Sequence, residues 1–308
     1  MNLYFAPMEG ITTYTFRSVH SKMFGGCIAY FAPFITPTTN EKVGTRSFRD
    51  ILPRNNEFTW PKVQLLSNDA PAFLDFSQKI KDLGYTEVNL NLGCPSSTVV
   101  KKGRGAGFLR DIDALDRFLF EIFEKCELQI TVKTRIGFSS SEELDSLIAI
   151  YNKYPIKQLC VHPRTREAYY NGDPDMEAFK RVYNLSNAPL CYNGNVFSKE
   201  NFLKIKENFP NLEGVMFGRG AIKNPAIFRE INGGERLKTA ELLEFHQALT
   251  DKYLPILGSQ VYTLHKLKEI WMYIMWNFPN EKKILKAIKK SSSLSDLSFA
   301  ISCLPKLY

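Results

Sequence analysis

In EVNLNL, residues 87 to 92, apolar Val88, Leu90 and Leu92 alternate with Glu87, Asn89 and Asn91, the two-residue period of a strand. Gly93 and Pro95 stop the run and leave Cys94 at the turn beside Asn91. Seven more short apolar runs recur along the chain: LYFAPM from Leu3, CIAYFAPF from Cys27, KVQLL from Lys62, QITVKTR from Gln129, KQLCVH from Lys157, APLCYN from Ala188 and EGVMFG from Glu213. Helical patterns separate them, such as PAFLDFSQKIKDLG from Pro71 and DIDALDRFLFEIFEK from Asp111, where Leu115, Phe118, Leu119 and Ile122 share one apolar face. Strands alternating with helices give parallel βα units. The count and length of these units predict an α/β fold, a (β/α)8 TIM barrel. A doubly wound open sheet is the competitor, weakened because no GxGxxG follows the first run.

The pattern changes after Gly233–Gly234. KTAELLEFHQALTDKYLPIL, HKLKEIWMYIMWNF and EKKILKAIKK each read as a helix, so a C-terminal helical bundle follows the barrel. The boundary falls near residue 235, giving a barrel over 1–235 and a helical unit over 236–308. The serine run in KKSSSLS reads as a solvated loop, and Leu264, Leu267, Trp271 and Ile274 as bundle core.

In such a barrel, chemistry sits at the C-terminal ends of the strands. The out-of-pattern polar residues collect there: Glu9 after the first strand, Gln64 in the third, Asn91 and Cys94 in the fourth, Lys133 and Arg135 in the fifth, and His162 and Arg164 in the sixth. The glycine turns Asn193–Gly194–Asn195 and Gly218–Arg219–Gly220 follow the seventh and eighth. Paired glycine turns at those two strands form the usual phosphate site of the architecture. Alternation directs Lys133 opposite to Val132 and Thr134, into the barrel, where an ammonium needs a ligand or a carboxylate partner. Gln64 can both donate and accept, which suits the edge of a flavin ring.

Composition narrows the classes. The 308 residues are 44% hydrophobic, enough for a full core, and the net charge of +8 suits an acidic partner or simple solubility. Six cysteines with no CxxC pair and no zinc spacing fit a reducing cytoplasm and no metal. The N-terminus lacks the features of a signal peptide, and no run is long enough to span a membrane. Lys282, Lys286 and Lys289 make a basic stripe on one helix, suited to nucleic-acid phosphates or to water. The loop SSTVVKKGRGAGFL, rich in lysine and glycine, reads either as a lid over a bound base or as an ordinary basic loop.

Taken in order, APMEGITTYTFR, VQLL, NLNLGCPS, VKTRIG, VHPRT, NGNV and FGRGA resemble the tRNA-dihydrouridine synthases, from residue 5 to about residue 221. The resemblance implies FMN as bound cofactor, NADPH as reductant and tRNA as partner, with reduction of a uridine C5–C6 double bond. It implies Pro7, Met8 and Glu9 as the backbone cradle of the flavin ring, Gln64 and Lys133 as its polar contacts, and His162 beside it. Asn193, Gly194, Asn195, Gly218 and Arg219 would grip the phosphate, Asn91, Arg135 and Arg164 would meet the substrate nucleotide, and Cys94 would give the proton. Thr13, Ser67, Pro163 and Asn195 depart from the family pattern. A flavin barrel acting on a free pyrimidine, similar to dihydroorotate dehydrogenase, is the second reading, and a non-catalytic RNA-binding barrel the third. Nothing in the chain demands more than a monomer or an obligate protein partner.

Overall fold

The computed structural model describes residues 1–38, 48–56 and 59–307. Eight strands lie where the alternation places them: β1 (Asn2–Phe5), β2 (Ala29–Tyr30), β3 (Val63–Leu65), β4 (Glu87–Leu92), β5 (Gln129–Arg135), β6 (Leu159–His162), β7 (Leu190–Tyr192) and β8 (Gly214–Phe217). All neighbours are parallel, in the order β2-β1-β8-β7-β6-β5-β4-β3. The first strand thus pairs with the last. The chain after β2 closes the ring onto β3 through single bridges, Phe31 to Lys62 and Ile35 to Leu65. The second strand is shorter than CIAYFAPF suggests. Pro33 has no N–H to give to the ladder, so pairing beyond Tyr30 survives only as those bridges.

Side-chain alternation divides each strand between two environments. Leu3, Phe5, Val63, Leu65, Val88, Leu90, Leu92, Ile130 and Val132 belong to the large apolar core between sheet and helices. Burying each such side chain is worth about 1.5–3 kcal/mol, so this outer layer carries the stability. The residues between them face the barrel interior, which holds few aliphatic side chains. At its centre sits a small separate cluster of Tyr4, Ala6, Phe31, Cys160, Cys191 and Met216. Its N-terminal end is closed by charge: Tyr4 Oη donates to Glu213 Oε1 at 2.6 Å, and Lys62 and Lys157 both pair with Glu87.

From residue 239 the chain is helical, with Thr239–Leu257, Gln260–Ile274, Lys282–Lys290 and Leu294–Ser302. The first ends on Gly258 in the left-handed region (φ 62°), and Ser259 caps the next, which therefore begins earlier than the HKLKEI pattern suggests. The serine run, expected as a solvated loop, instead starts a fourth helix. Ser293 Oγ accepts from Asp296 N at 3.0 Å while Ser293 N donates to Asp296 Oδ2 at 3.1 Å, a reciprocal cap. The helices dock on the barrel rim through Lys266 Nζ to Gly10 O (2.8 Å), Asn277 Nδ2 to Lys223 O (2.6 Å), and Thr13 Oγ1 with Tyr253 Oη (3.2 Å). Thr13, a departure from the family pattern, is thus a contact to the tail. Among the described residues no helix is long and apolar enough to cross a membrane.

Two buried histidines knit these layers in their neutral form. His20 faces Tyr30 Oη through Nδ1 and the Pro225 carbonyl through Nε2, so Nε2 carries the proton. His246 accepts from Trp271 Nε1 at 3.2 Å and donates to Ser298, joining three tail helices. Burial pulls His20 down to about 3 and His246 to about 4. A depressed histidine costs stability as pH falls below the unfolded pKa near 6.5, because the unfolded chain then takes protons that the fold refuses. Urea unfolding at pH 5 should show roughly 2 kcal/mol less stability per buried histidine than at pH 8. Equal stability at the two pH values would contradict it.

Candidate active site

A cavity of about 430 Å³ opens at the C-terminal ends of the strands. Pro7, Met8, Glu9, Gln64, Asn91, Cys94, Lys133, Arg135, His162, Asn193, Gly194, Gly218 and Arg219 all line it. Residues scattered over the sequence from 7 to 219 therefore meet at one rim. Asn195 and Arg164 stand just behind it, since Arg164 Nη1 and Arg219 Nη2 both donate to Asn195 Oδ1, at 3.3 and 3.1 Å. The asparagine that departs from the family pattern keeps the acceptor that both cations use. Lys282, Lys286 and Lys289 do not line the cavity; they are exposed on a tail helix.

Three buried amides fix the rim at β3 and β4. Gln64 Nε2 donates to Asn89 Oδ1 at 2.7 Å, Asn89 Nδ2 to Thr131 Oγ1 at 2.8 Å, and Asn91 Nδ2 to Gln64 Oε1 at 2.8 Å. Asn91 Oδ1 then accepts the backbone N–H groups of Gly93 (3.0 Å) and Cys94 (2.9 Å). Asn91 thereby sets the turn that presents the thiol. The loop after it is packed tightly against Cys94: Ala106 N donates to Cys94 O at 3.0 Å, and a Cβ at Gly105 would lie 2.8 Å from that same oxygen. Gly105 thus serves a close contact here, which the lid reading did not foresee.

The arginines are also committed. Arg135 donates through Nε to Gly93 O and through Nη1 to the carbonyls of Thr165 and Tyr169, each at 2.8 Å. Arg164 donates to the carbonyls of Asn171 and Gly172. Together they hold the loop after β6, in which Tyr169 adopts φ 55°, a left-handed conformation rare for a bulky residue. That loop places the Tyr170 ring between Arg135 and Arg219, 5.4 and 5.0 Å from its centroid.

Cations outnumber carboxylates at the site, where Lys133, Arg135 and Arg219 line the cavity beside Glu9. Among the described residues, none of Lys133, Arg135, Arg164 or Arg219 forms an ion pair with a carboxylate. Burial lowers the Lys133 ammonium, the effect expected of a cation kept from water without a counter-charge. His162 Nε2 lies 3.0 Å from Arg164 Nη1; a guanidinium only donates, so the imidazole accepts and is neutral with its proton on Nδ1. Burial first, then the surrounding cations, hold it well below 6.5. At Cys94 burial, aided by the Glu9 carboxylate, outweighs a backbone bond at Ser96 and the charges of Arg135 and Lys133, and the thiol is raised above its ordinary 9.0. The rim thus offers an unpaired cationic cluster, a neutral imidazole and a protonated thiol. Among the described residues no group of three or more His, Cys, Asp or Glu is placed to hold a metal.

Sequence reasoning missed Tyr170, Phe197, Tyr273 and Trp276, which also line the cavity. The pair Tyr169–Tyr170 following VHPRT was the available signal for the first. Tyr273 lies off the apolar stripe of Leu264, Leu267, Trp271 and Ile274, and Trp276 follows in the turn Met275–Asn277, so the stripe did not include either.

A family model described as dihydrouridine synthase matches residues 4–298. The chain is 30% identical to a probable tRNA-dihydrouridine synthase of Staphylococcus aureus, covering 80% of this chain and 77% of that one. It is 28% identical to a probable tRNA-dihydrouridine synthase of Rickettsia bellii, covering 86% and 84%. It is 27% identical to tRNA-dihydrouridine synthase B of Pseudomonas aeruginosa, covering 81% and 75%. Among solved structures, the old yellow enzyme from Trypanosoma cruzi is similar with a TM-score of 0.54 at 10% identity, covering 75% of this chain and 88% of that one. Morphinone reductase in complex with tetrahydroNAD gives 0.53 at 10%, covering 77% and 88%. These two likenesses concern the fold.

The glycine turns give a direct test of the geometry. A Cβ at Gly220 would stand 2.0 Å from the Val196 carbonyl oxygen, whereas one at Gly93 would meet nothing closer than 3.6 Å. Gly220→Ala should cost about 1–3 kcal/mol in urea unfolding by forcing the two turns apart. Gly93→Ala should stay within about 0.5 kcal/mol of the parent. The reverse order would contradict the placement of the turns.

Proposed function

The chain belongs to the dihydrouridine synthase family, and from that membership we propose how its residues divide the reduction of uridine to dihydrouridine in tRNA. The observation that carries the reading is a protonated thiol, Cys94, lining the same cavity as Lys133 and the two glycine turns.

The residues fit flavin mononucleotide. Arg219, backed by Arg164 through Asn195, would hold the phosphate together with the turns at Asn193–Gly194 and Gly218. A Cβ at Gly218 would come 3.3 Å from Met8 Sδ, so that glycine keeps the backbone open beside the Pro7–Glu9 cradle. Gln64, with one N–H and one lone pair left over from its amide bonds, and Lys133, with no counter-ion among the described residues, would meet the ring edge, with neutral His162 alongside. When bound, FMN supplies the hydride for C6 of uracil and is recharged by NADPH.

The chain's own residues manage position and protons. As charge develops toward C5 and the C4 carbonyl, Cys94 Sγ holds the proton that C5 requires. Burial keeps that proton on sulfur at neutral pH, the opposite of what a nucleophilic cysteine needs. Asn91 retains one side-chain N–H for the pyrimidine after anchoring the turn, and Arg135 shapes the wall through the carbonyls it binds. A uridine inside folded tRNA reaches this cavity only when unstacked, which costs a few kcal/mol. Contacts elsewhere must offset that cost, and the exposed Lys282, Lys286 and Lys289 of the 236–308 unit supply phosphate partners. One chain contains every residue named, so we read it as acting as a monomer, in the cytoplasm where tRNA is found. Family membership disfavours the free-pyrimidine and non-catalytic readings.

The FMN-loaded protein, given NADPH and unmodified tRNA, should form dihydrouridine detectable by mass. Cys94→Ala should reduce flavin at a rate within about threefold of the parent while product formation falls about 10²-fold or more, the usual worth of a general acid. Full product formation by that variant would refute the acid role. The parent's rate should hold from neutral pH up to the raised thiol pKa, above 9.0, and fall only beyond it, since the acid works in its protonated form. A fall already at pH 7 to 8 would contradict that assignment.

A further inference from the structure

The catalytic reading leaves unused the aromatic side chains that the tail brings to the cavity mouth. The helix Gln260–Ile274 carries Tyr262, Lys266, Glu269 and Tyr273 at four-, three- and four-residue spacing, one helical face. Trp276 continues that line in the short turn Met275–Asn277. The face lies on the rim: Lys266 is bonded to Gly10 O, and Tyr273 and Trp276 line the cavity. Phe197, from the loop after β7, stands against the indole at 5.9 Å and 63°, and Tyr273 at 5.3 Å and 60°. Both neighbours are inclined to the indole and brace it without stacking parallel on it.

Trp276 remains 44% exposed, while Trp271, in the helix just before it, is 1% exposed and bonded to His246. Among the described residues the Trp276 indole N–H meets no acceptor. A large ring braced on two sides and left open at the mouth of a cationic cavity is suited to a flat partner. The partner follows from what the cavity admits. A reacting uracil must enter beside Cys94, so what lies at the mouth near Trp276 is the next unit of the same molecule. In an RNA strand that unit is another nucleoside, with a base to stack. In a dinucleotide the second base lies farther off, beyond a pyrophosphate instead of a single phosphate, and the reductant is the alternative occupant that the measurements below separate.

We infer that Trp276, braced by Phe197 and Tyr273, is a stacking shelf for the base adjoining the extruded uridine. The tail then grips the strand through a base as well as through phosphates. This inference rests on the reaction proposed above. Base–aromatic stacking is worth about 1–3 kcal/mol, so its loss should weaken RNA binding about 5- to 150-fold.

Two measurements on the FMN-loaded protein test the shelf. In steady-state turnover, Trp276→Ala should raise the KM for tRNA about tenfold or more with a much smaller change in kcat, and Trp276→Phe should restore most of the loss. An unchanged KM for tRNA would overturn the inference, as would a matching rise in the KM for NADPH, which would place the dinucleotide there instead. In binding, a short single-stranded oligouridylate should quench the tryptophan fluorescence of the parent but not of Trp276→Phe, since Trp271 is buried and Trp60, though exposed, does not line the cavity. Quenching that persists in Trp276→Phe, or is absent from the parent, would overturn it. This second readout needs no turnover. A parent that forms no dihydrouridine yet shows Trp276-dependent quenching would fail the proposed reaction and keep the shelf.

Discussion

The site depends on a chain of buried amides inside the barrel. Thr131, Asn89, Gln64 and Asn91 pass hydrogen bonds from β5 through β4 and β3 to the backbone at Gly93 and Cys94. A buried amide left without a partner costs about 1–3 kcal/mol, so each member is held in place by the others. The polar interior is tolerable only because the apolar faces of the same strands pack outward against the helices. Strength and chemistry are separated by the two-residue period: one face of each strand stabilises the fold, and the other builds the cavity.

Electrostatics at the rim follow from the same separation. Four cations converge near His162, and among the described residues no carboxylate ion pair neutralises any of them. Two of them, Arg135 and Arg164, are spent largely on loop carbonyls, which fixes Tyr170 over the cavity and leaves Lys133 and Arg219 to face a ligand. Burial, rather than charge, decides the state of Cys94. The neighbouring cations favour the thiolate, but the loss of water around the sulfur, with the Glu9 carboxylate acting in the same direction, favours the thiol more strongly.

Much of this was legible in the sequence because it is local and periodic. EVNLNL and QITVKTR match β4 and β5 residue for residue, and alternation correctly turned Lys133 inward. What stayed hidden depends on proximity in space. No spacing rule joins Arg135 to Tyr169, or Asn91 to Gln64 across 27 residues. The fourth tail helix was masked by its own serine cap, which in composition is indistinguishable from a loop. Nothing in the sequence ties Trp276 to the cavity, because the rim it stands on is built from residues far away along the chain. The departures Ser67 and Pro163 proved local: Ser67 Oγ bonds with Asp69 at the turn before the helix Ala70–Asp82, and the Pro163 carbonyl accepts from Asp175 N at 2.7 Å.

The fold holds Cys94 as a neutral thiol at the rim of a cationic cavity. The most direct measurement is the thiolate absorbance of the folded protein titrated against pH, taken as the difference between parent and Cys94→Ala. The account requires a midpoint above 9.0 for the step lost in the variant. A midpoint below about 7 would mean a thiolate at neutral pH, the state of an activated nucleophile, and would contradict the account.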